Sequence, residues 1–288
     1  MTEREIKEIV VPAQTTDGAG VKIRRSIGTA RLDRVDPFFL FDHFGSEDPD
    51  DYIAGFPMHP HRGIETITYM LDGSVAHRDS IGNSGVIGAG DIQWMTAGSG
   101  IMHEEMPKAG PERLDGFQIW VNMPRALKMT EPRYQNISSK EIPETKRPDG
   151  TRIRIIAGNV NGVSGAVKDI FADPTYLDVT MQPLGLFEQP VASGHTGLLY
   201  LFEGSIGIGD TGESEVGRVS SVRLILLNDG DALRVRAGNT GARFLLLSAK
   251  PLNEEAVRWG PFVMNTKQEI EETLQELRDG TFIKSPSV

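Results

Sequence analysis

Cysteine is absent from this 288-residue chain. That excludes disulfides, thiolate metal ligands and cysteine nucleophiles together, and it suits a reducing compartment. Long hydrophobic runs are missing as well. No uninterrupted apolar stretch approaches the ~20 residues of a membrane span, and Met1 to Glu5 are charged where a secretory leader would turn apolar. Basic charge is scarce: 30 Lys and Arg face 40 Asp and Glu, a formal net charge of −10. Such a surface repels a phosphate backbone. The densest basic cluster, Lys22, Arg24, Arg25 and Arg31, is short and interleaved with apolar residues, as expected of a solvated strand face. The expectation is a cytoplasmic protein with no membrane and no direct nucleic-acid partner.

Glycine and proline, by contrast, are plentiful at 32 and 17. Their even spread points to many short strands joined by tight turns. Period-two alternation and β-rich composition mark strands at Ile64–Leu71, Gly116–Met123, Arg152–Ala157, Tyr176–Met181, Leu198–Phe202, Val222–Leu227 and Phe244–Ser248. One helix is expected near the end. Thr266 and Glu269 have capping-box spacing, Ile270, Leu274 and Leu277 form an apolar stripe, and Gly280 supplies the stop.

The two halves read as a degenerate repeat. Tyr69 to Ser74, Gly90-Asp91 and Ala97-Gly98 in the first match Tyr200 to Ser205, Gly230-Asp231 and Ala237-Gly238 in the second. An all-β chain of two small barrels explains this better than one large barrel. The proline-rich, charged stretch from about 125 to 150 is the expected boundary. The domains are accordingly placed at 1–135 and 136–288, the second carrying the helix.

Six histidines are present, and three of them fall in two Gly-flanked β segments. His59-Pro60-His61 puts two imidazoles on one face of a strand, and His103 and Glu105 are also two apart. Adjacent antiparallel strands would then offer three nitrogens and one carboxylate to a shared point. That set suits Fe, Mn, Ni, Co, Cu or Zn. Glu65, four residues after His61, is turned inward by the same alternation, so spacing does not choose between Glu65 and Glu105. His43 reads as a satisfied structural residue, with a place at the cavity mouth as its alternative, and His77 and His195 read as structural or surface residues. Phe41, Phe56, Met58 and Met102 are candidate apolar walls for a flat ligand, with plain core packing as their alternative. Gln118 is a candidate hydrogen-bonding group.

Gly55 to Glu65 followed by Gly73 resembles the first cupin motif, and Gly90 to Pro107 is similar to the form of the second cupin motif found in pirins. Asp36 to Gly45, Asp115 to Pro124 and Trp259 to Thr266 also resemble pirin blocks. The resemblance spans about residues 20 to 285. It implies a monomeric bicupin, two jelly-roll β-barrels with a short C-terminal helix, usually with iron. It implies metal ligands at His59, His61, His103 and Glu105 and leaves Glu65 as a neighbouring cavity residue; for an enol substrate Glu105 is also the candidate catalytic group, accepting the hydroxyl proton. Several family members open the ring of the flavonol quercetin with O₂. The expected function is a metal-dependent dioxygenase of a flavonol or similar enol, holding one Fe²⁺ per chain. A redox-sensing regulator that binds a protein partner, and a Zn or Mn isomerase or hydrolase, are the alternatives. Aligning the repeat puts Pro190, Ala192, Arg243 and Leu245 at the ligand positions of the second barrel, which should therefore hold no ion.

Overall fold

Alternating side chains bounded by turns fold into antiparallel sheets throughout, because each strand can bury one face only against another sheet. The computed structural model describes residues 2–108, 110, 113–209 and 218–284. It forms two compact units that do not follow chain order. One comprises residues 13–139 and 252–288, the other residues 1–12 and 140–251. The boundary falls inside the expected 125–150 stretch. The sequential division at 135/136 nevertheless misplaces both ends of the chain. Ile6–Val10 pairs with Arg223–Leu227 of the second unit, whereas the C-terminal helix packs within the first. Long-range pairing partners, invisible to local pattern, decide this.

In the first unit a seven-stranded sheet runs in the order Arg133–Ile137, Ile92–Thr96, Ile64–Asp72, Leu114–Asn122, Phe38–Ser46, Val21–Ile27, Ala13–Asp17. A four-stranded sheet is ordered Phe56–His61, Ile101–Pro107, Val75–Asp79, Ser84–Ile87. The expected helix is present at Lys267–Asp279. Thr266 and Glu269 form the capping box, and Gly280 is the left-handed C-cap. Ile270, with Leu274 and Leu277, packs on Phe262, Met264 and Phe282.

Among its described residues the second unit has a nine-stranded sheet with the same plan and a small ribbon of Asn159–Val160 with Val163–Ser164. Its long strand Thr196–Ile208 combines the counterparts of Ile64–Asp72 and Val75–Asp79, turning at Gly204 as the first unit turns at Gly73. Both glycines have φ near +75° (73° and 75°), and a Cβ there would meet a backbone oxygen, Arg113 O at 2.8 Å or Gly241 O at 2.1 Å. Only glycine fits either turn. The first part of Ala232–Ala249 pairs with Leu186–Pro190, as Ile101–Pro107 pairs with Phe56–His61. The repeat read from sequence is therefore out of register. Arg243 and Leu245 pair with Thr175–Met181 instead. Phe187, Gln189, Leu233 and Val235 occupy the second barrel where the first has its histidines, and none of the four is a strong metal ligand. That interior is packed solid by Phe187, Leu199, Leu201, Leu233, Val235, Phe244 and Leu246.

Candidate metal centre

The Phe56–His61 and Ile101–Pro107 strands are antiparallel neighbours with His59 opposite His103. Period-two alternation then turns His59, His61, His103 and Glu105 to one side. One ligand atom from each of His59, His61 and His103 lies within 4.8 Å of the others. The rings sit 4.3 Å (His59–His103), 4.9 Å (His59–His61) and 5.0 Å (His61–His103) apart.

The hydrogen bonds fix the tautomers. His59 Nδ1 donates to Pro57 O at 2.9 Å, and His61 Nδ1 donates to Pro261 O at 3.3 Å. A carbonyl only accepts, so each Nε2 carries a lone pair. Those two Nε2 atoms face each other at 3.1 Å. Both nitrogens of His103 are buried and without a hydrogen-bond partner among the described residues. Burial, first of all, holds all three imidazoles below their usual pKa, His61 and His103 well below it. Protonation at neutral pH does not relieve the facing lone pairs. A cation does: two nitrogens ~2.1 Å from one ion at right angles stand roughly 3.0 Å apart. The residues present fit a bound transition metal.

Glu105 stands slightly apart. It belongs to a second trio with His77 and His103, and the four predicted ligands do not form a single 4.8 Å set. Its Oε1 accepts from Thr68 Oγ1 at 2.8 Å, and Thr68 is also 2.7 Å from Gln118 Oε1. Burial pushes the Glu105 carboxyl up to about 7, with the Thr68 hydroxyl pulling the other way. His77 is 3% exposed and is held by Gln93 at 2.8 Å and Asp79 at 3.2 Å, with its ring stacked on Tyr134. This is a structural role beside the site. His43 is structural too, bonded to Asp115 at 2.8 Å.

A cavity of about 490 Å³ opens onto His59, His61 and Glu105. Its apolar wall includes Ile23, Leu40, Phe44, Phe56, Trp120 and Pro261, and its polar groups include Asp17, Asp42, Gln118 and Arg258. Phe56 and Gln118 line it as expected. Phe41, Met58 and Met102 do not. Leu40, Asp42 and Phe44 face the cavity, so Phe41 points to the other side of its strand, 6.0 Å from Phe117. Met58 is 41% exposed, and Met102 packs against the helix cluster. Both alternate with inward-facing ligand candidates and so point outward.

Glu65 is not in either trio and does not line the cavity. The alternation that would carry it inward stops at Gly63 (φ 76°), where a Cβ would lie 2.1 Å from Val263 O. Beyond this turn the chain enters the other sheet, and Glu65 accepts from Thr96 at 2.8 Å.

Polar clamps surround the hollow. Arg62, buried, donates to Ser99 O, Thr273 Oγ1 and Glu276, tying the histidine strand to the C-terminal helix. Lys128 Nζ donates to Gly63 O, Asn122 Oδ1 and Val263 O at 2.8, 2.5 and 2.7 Å. Arg25 grips Asp42 through two N–H groups at 2.8 and 2.6 Å and also reaches Asp17. It is thus no solvated strand residue, although Lys22 of the same cluster is.

Comparison with known proteins agrees with this architecture. The Pirin family model matches residues 20–121, and the model of the pirin C-terminal cupin domain matches residues 176–283. A Pseudomonas aeruginosa protein named "putative quercetin 2,3-dioxygenase" is 41% identical over 281 residues, covering 96% of this chain and 97% of its own. A pirin-like protein of Caulobacter vibrioides is 40% identical over 284 residues, covering 98% of this chain and all of its own. The crystal structure of a quercetin 2,3-dioxygenase from Acinetobacter baumannii superposes with a TM-score of 0.87 at 32% identity, covering 97% of this chain and 98% of that one. Among the described residues no helix is long and apolar enough to cross a membrane.

Proposed function

The chain belongs to the pirin family of two-domain cupins, and on that premise we propose that it is a metal-dependent dioxygenase of a flavonol or similar planar enol. His59, His61, His103 and Glu105 hold one ion, of which iron is the proposed identity. The observation that carries the reading is the pair of facing Nε2 lone pairs at 3.1 Å, beside a buried His103 with two unpartnered nitrogens. When bound, the ion would supply Lewis-acid polarisation of a substrate oxygen and redox chemistry toward O₂.

The chain's own residues do the rest. Trp120, Leu40, Phe44 and Phe56 give a flat apolar slot of a size suited to a small molecule. Glu105 accepts the enol proton at a carboxylate oxygen, since it is the carboxylate on the cavity wall beside the histidines. Thr68 holds Glu105 Oε1 and connects it to Gln118, so the carboxylate keeps its orientation as its charge changes. The named activity of the Pseudomonas and Acinetobacter relatives supports the same reading.

Iron-loaded protein should consume O₂ with quercetin and bleach the flavonol absorbance. Absence of O₂ uptake with every flavonol tested, at full metal occupancy, would overturn it.

A further inference from the structure

The proposed reaction needs an apolar slot and a proton acceptor. It does not need Arg258, yet Arg258 lines the cavity. Among the described lining residues it is the one arginine or lysine. Its guanidinium lies 4.9 Å from the Trp120 ring centroid, and the same indole is 4.9 Å from the His61 ring. Trp120 is therefore the shared neighbour of the histidine cluster and the cation.

A guanidinium has five N–H groups. Nε donates to Gly260 O at 3.2 Å and Nη1 donates to Phe39 O at 3.1 Å. These carbonyls orient the group without neutralising it. No carboxylate of the described residues lies within ion-pair distance of Arg258. The two acidic residues on the cavity wall, Asp17 and Asp42, are both engaged by Arg25. A half-buried cation on an aromatic face, with spare donors and with Asp33, Asp42 and Asp17 acting on it through space but none of them in ion-pair contact, is a built place for an anion.

We infer that Arg258 is an anion subsite. The cavity takes a planar aromatic ligand with an ionised oxygen group, a carboxylate or an acidic phenolate or enolate, that pairs with Arg258 while its ring lies against Trp120. This deepens the dioxygenase reading by naming the charge of the substrate, and it rests on that reading for the chemistry at the other end of the cavity. The charges are consistent with it. Summed over Asp17, Asp42, Arg25, Arg258 and Glu105 with a divalent ion, the loaded cavity would carry one net positive charge, although Arg258 is in contact with neither aspartate. A monoanion completes it.

The test is calorimetric titration of metal-loaded protein with 2-naphthoate and with its neutral counterpart 2-naphthamide. Wild type should bind the carboxylate at least tenfold more tightly than the amide. Arg258→Gln at equal metal content should reduce that ratio at least tenfold and change naphthamide affinity less than threefold. Arg258→Lys should restore part of the ratio. A wild type without preference overturns the inference whatever the variants do. So does a ratio that survives Arg258→Gln, which would place the anion on the ion alone, and so does an equal loss for both ligands. Oxygen uptake with flavonols is scored separately. Protein that consumes no O₂ yet shows this arginine-dependent preference loses the dioxygenase reading and keeps the anion subsite. Active protein lacking the preference loses the subsite alone.

Discussion

The two barrels share a strand plan but use their interiors oppositely. In the second, Phe187, Leu233, Val235, Phe244 and their neighbours fill the space between the sheets, each buried side chain contributing about 1.5–3 kcal/mol. In the first, the corresponding strands carry His59, His61, His103 and Glu105, and the apolar core is split into smaller clusters around a hollow. A barrel that keeps a hollow loses part of its hydrophobic stabilisation and must hold buried polar groups in place. The first unit does so with Arg62, Lys128 and Arg25, whose N–H groups donate to carbonyl, hydroxyl and carboxylate oxygens of the protein. A binding site thus needs a polar frame as well as ligands.

The largest effect expected from this contrast is on metal content. His61→Ala should lose most of the bound metal by elemental analysis, whereas Gln189→Ala, on the matching strand of the second barrel, should lose none. Retention of full occupancy by His61→Ala would remove the assigned site. Packing should show the reverse asymmetry. Phe244→Ala in the filled barrel should cost about 3–5 kcal/mol in urea unfolding with metal content unchanged. Phe56→Ala, on the cavity wall of the hollow one, should cost only about 1–2 kcal/mol. Equal costs would mean that the two interiors are packed alike.

The smallest effect is electrostatic and belongs to the metal-free chain. Burial lifts the Glu105 carboxyl to about 7, against ~4.3 in an unfolded chain. Between these values the native state binds a proton that the unfolded state has released, so this contribution to stability falls as pH rises and the cost is complete above about pH 7. Measured in chelator, the stability difference between wild type and Glu105→Gln should move against wild type by about 2 kcal/mol from pH 5 to pH 8. Parallel pH profiles would show that Glu105 does not titrate in that window.

Much of the candidate site was legible in the chain because its signal is short-ranged. His59 and His61, or His103 and Glu105, share a face whatever the rest of the fold does, since strand periodicity is fixed by backbone stereochemistry. The same rule excludes Met58 and Met102, which alternate with those residues, and it groups Trp120 with Gln118. Phe41 is a different case. Which face of Phe38–Ser46 meets the cavity depends on its register with Leu114–Asn122, where Gln118 lies opposite Asp42. Glu65 was misplaced because Gly63 sends the chain into another sheet, a change that period counting passes over.

The sequence by itself determined the β-rich character, the duplicated turns at Gly73 and Gly204, the capped C-terminal helix, and the three histidines that could share one point. Each was signalled by patterns a few residues long, although bringing His103 to His59 and His61 takes the pairing of two distant strands. Only the tertiary structure decided that Glu105 meets Thr68, that Arg258 and Pro261 close the cavity wall around His61, and that the two chain ends sit with the units they do. Those pairings join segments far apart in the chain. Backbone hydrogen bonds are nearly indifferent to side-chain identity, so the choice among possible partners falls to burial summed over the whole molecule.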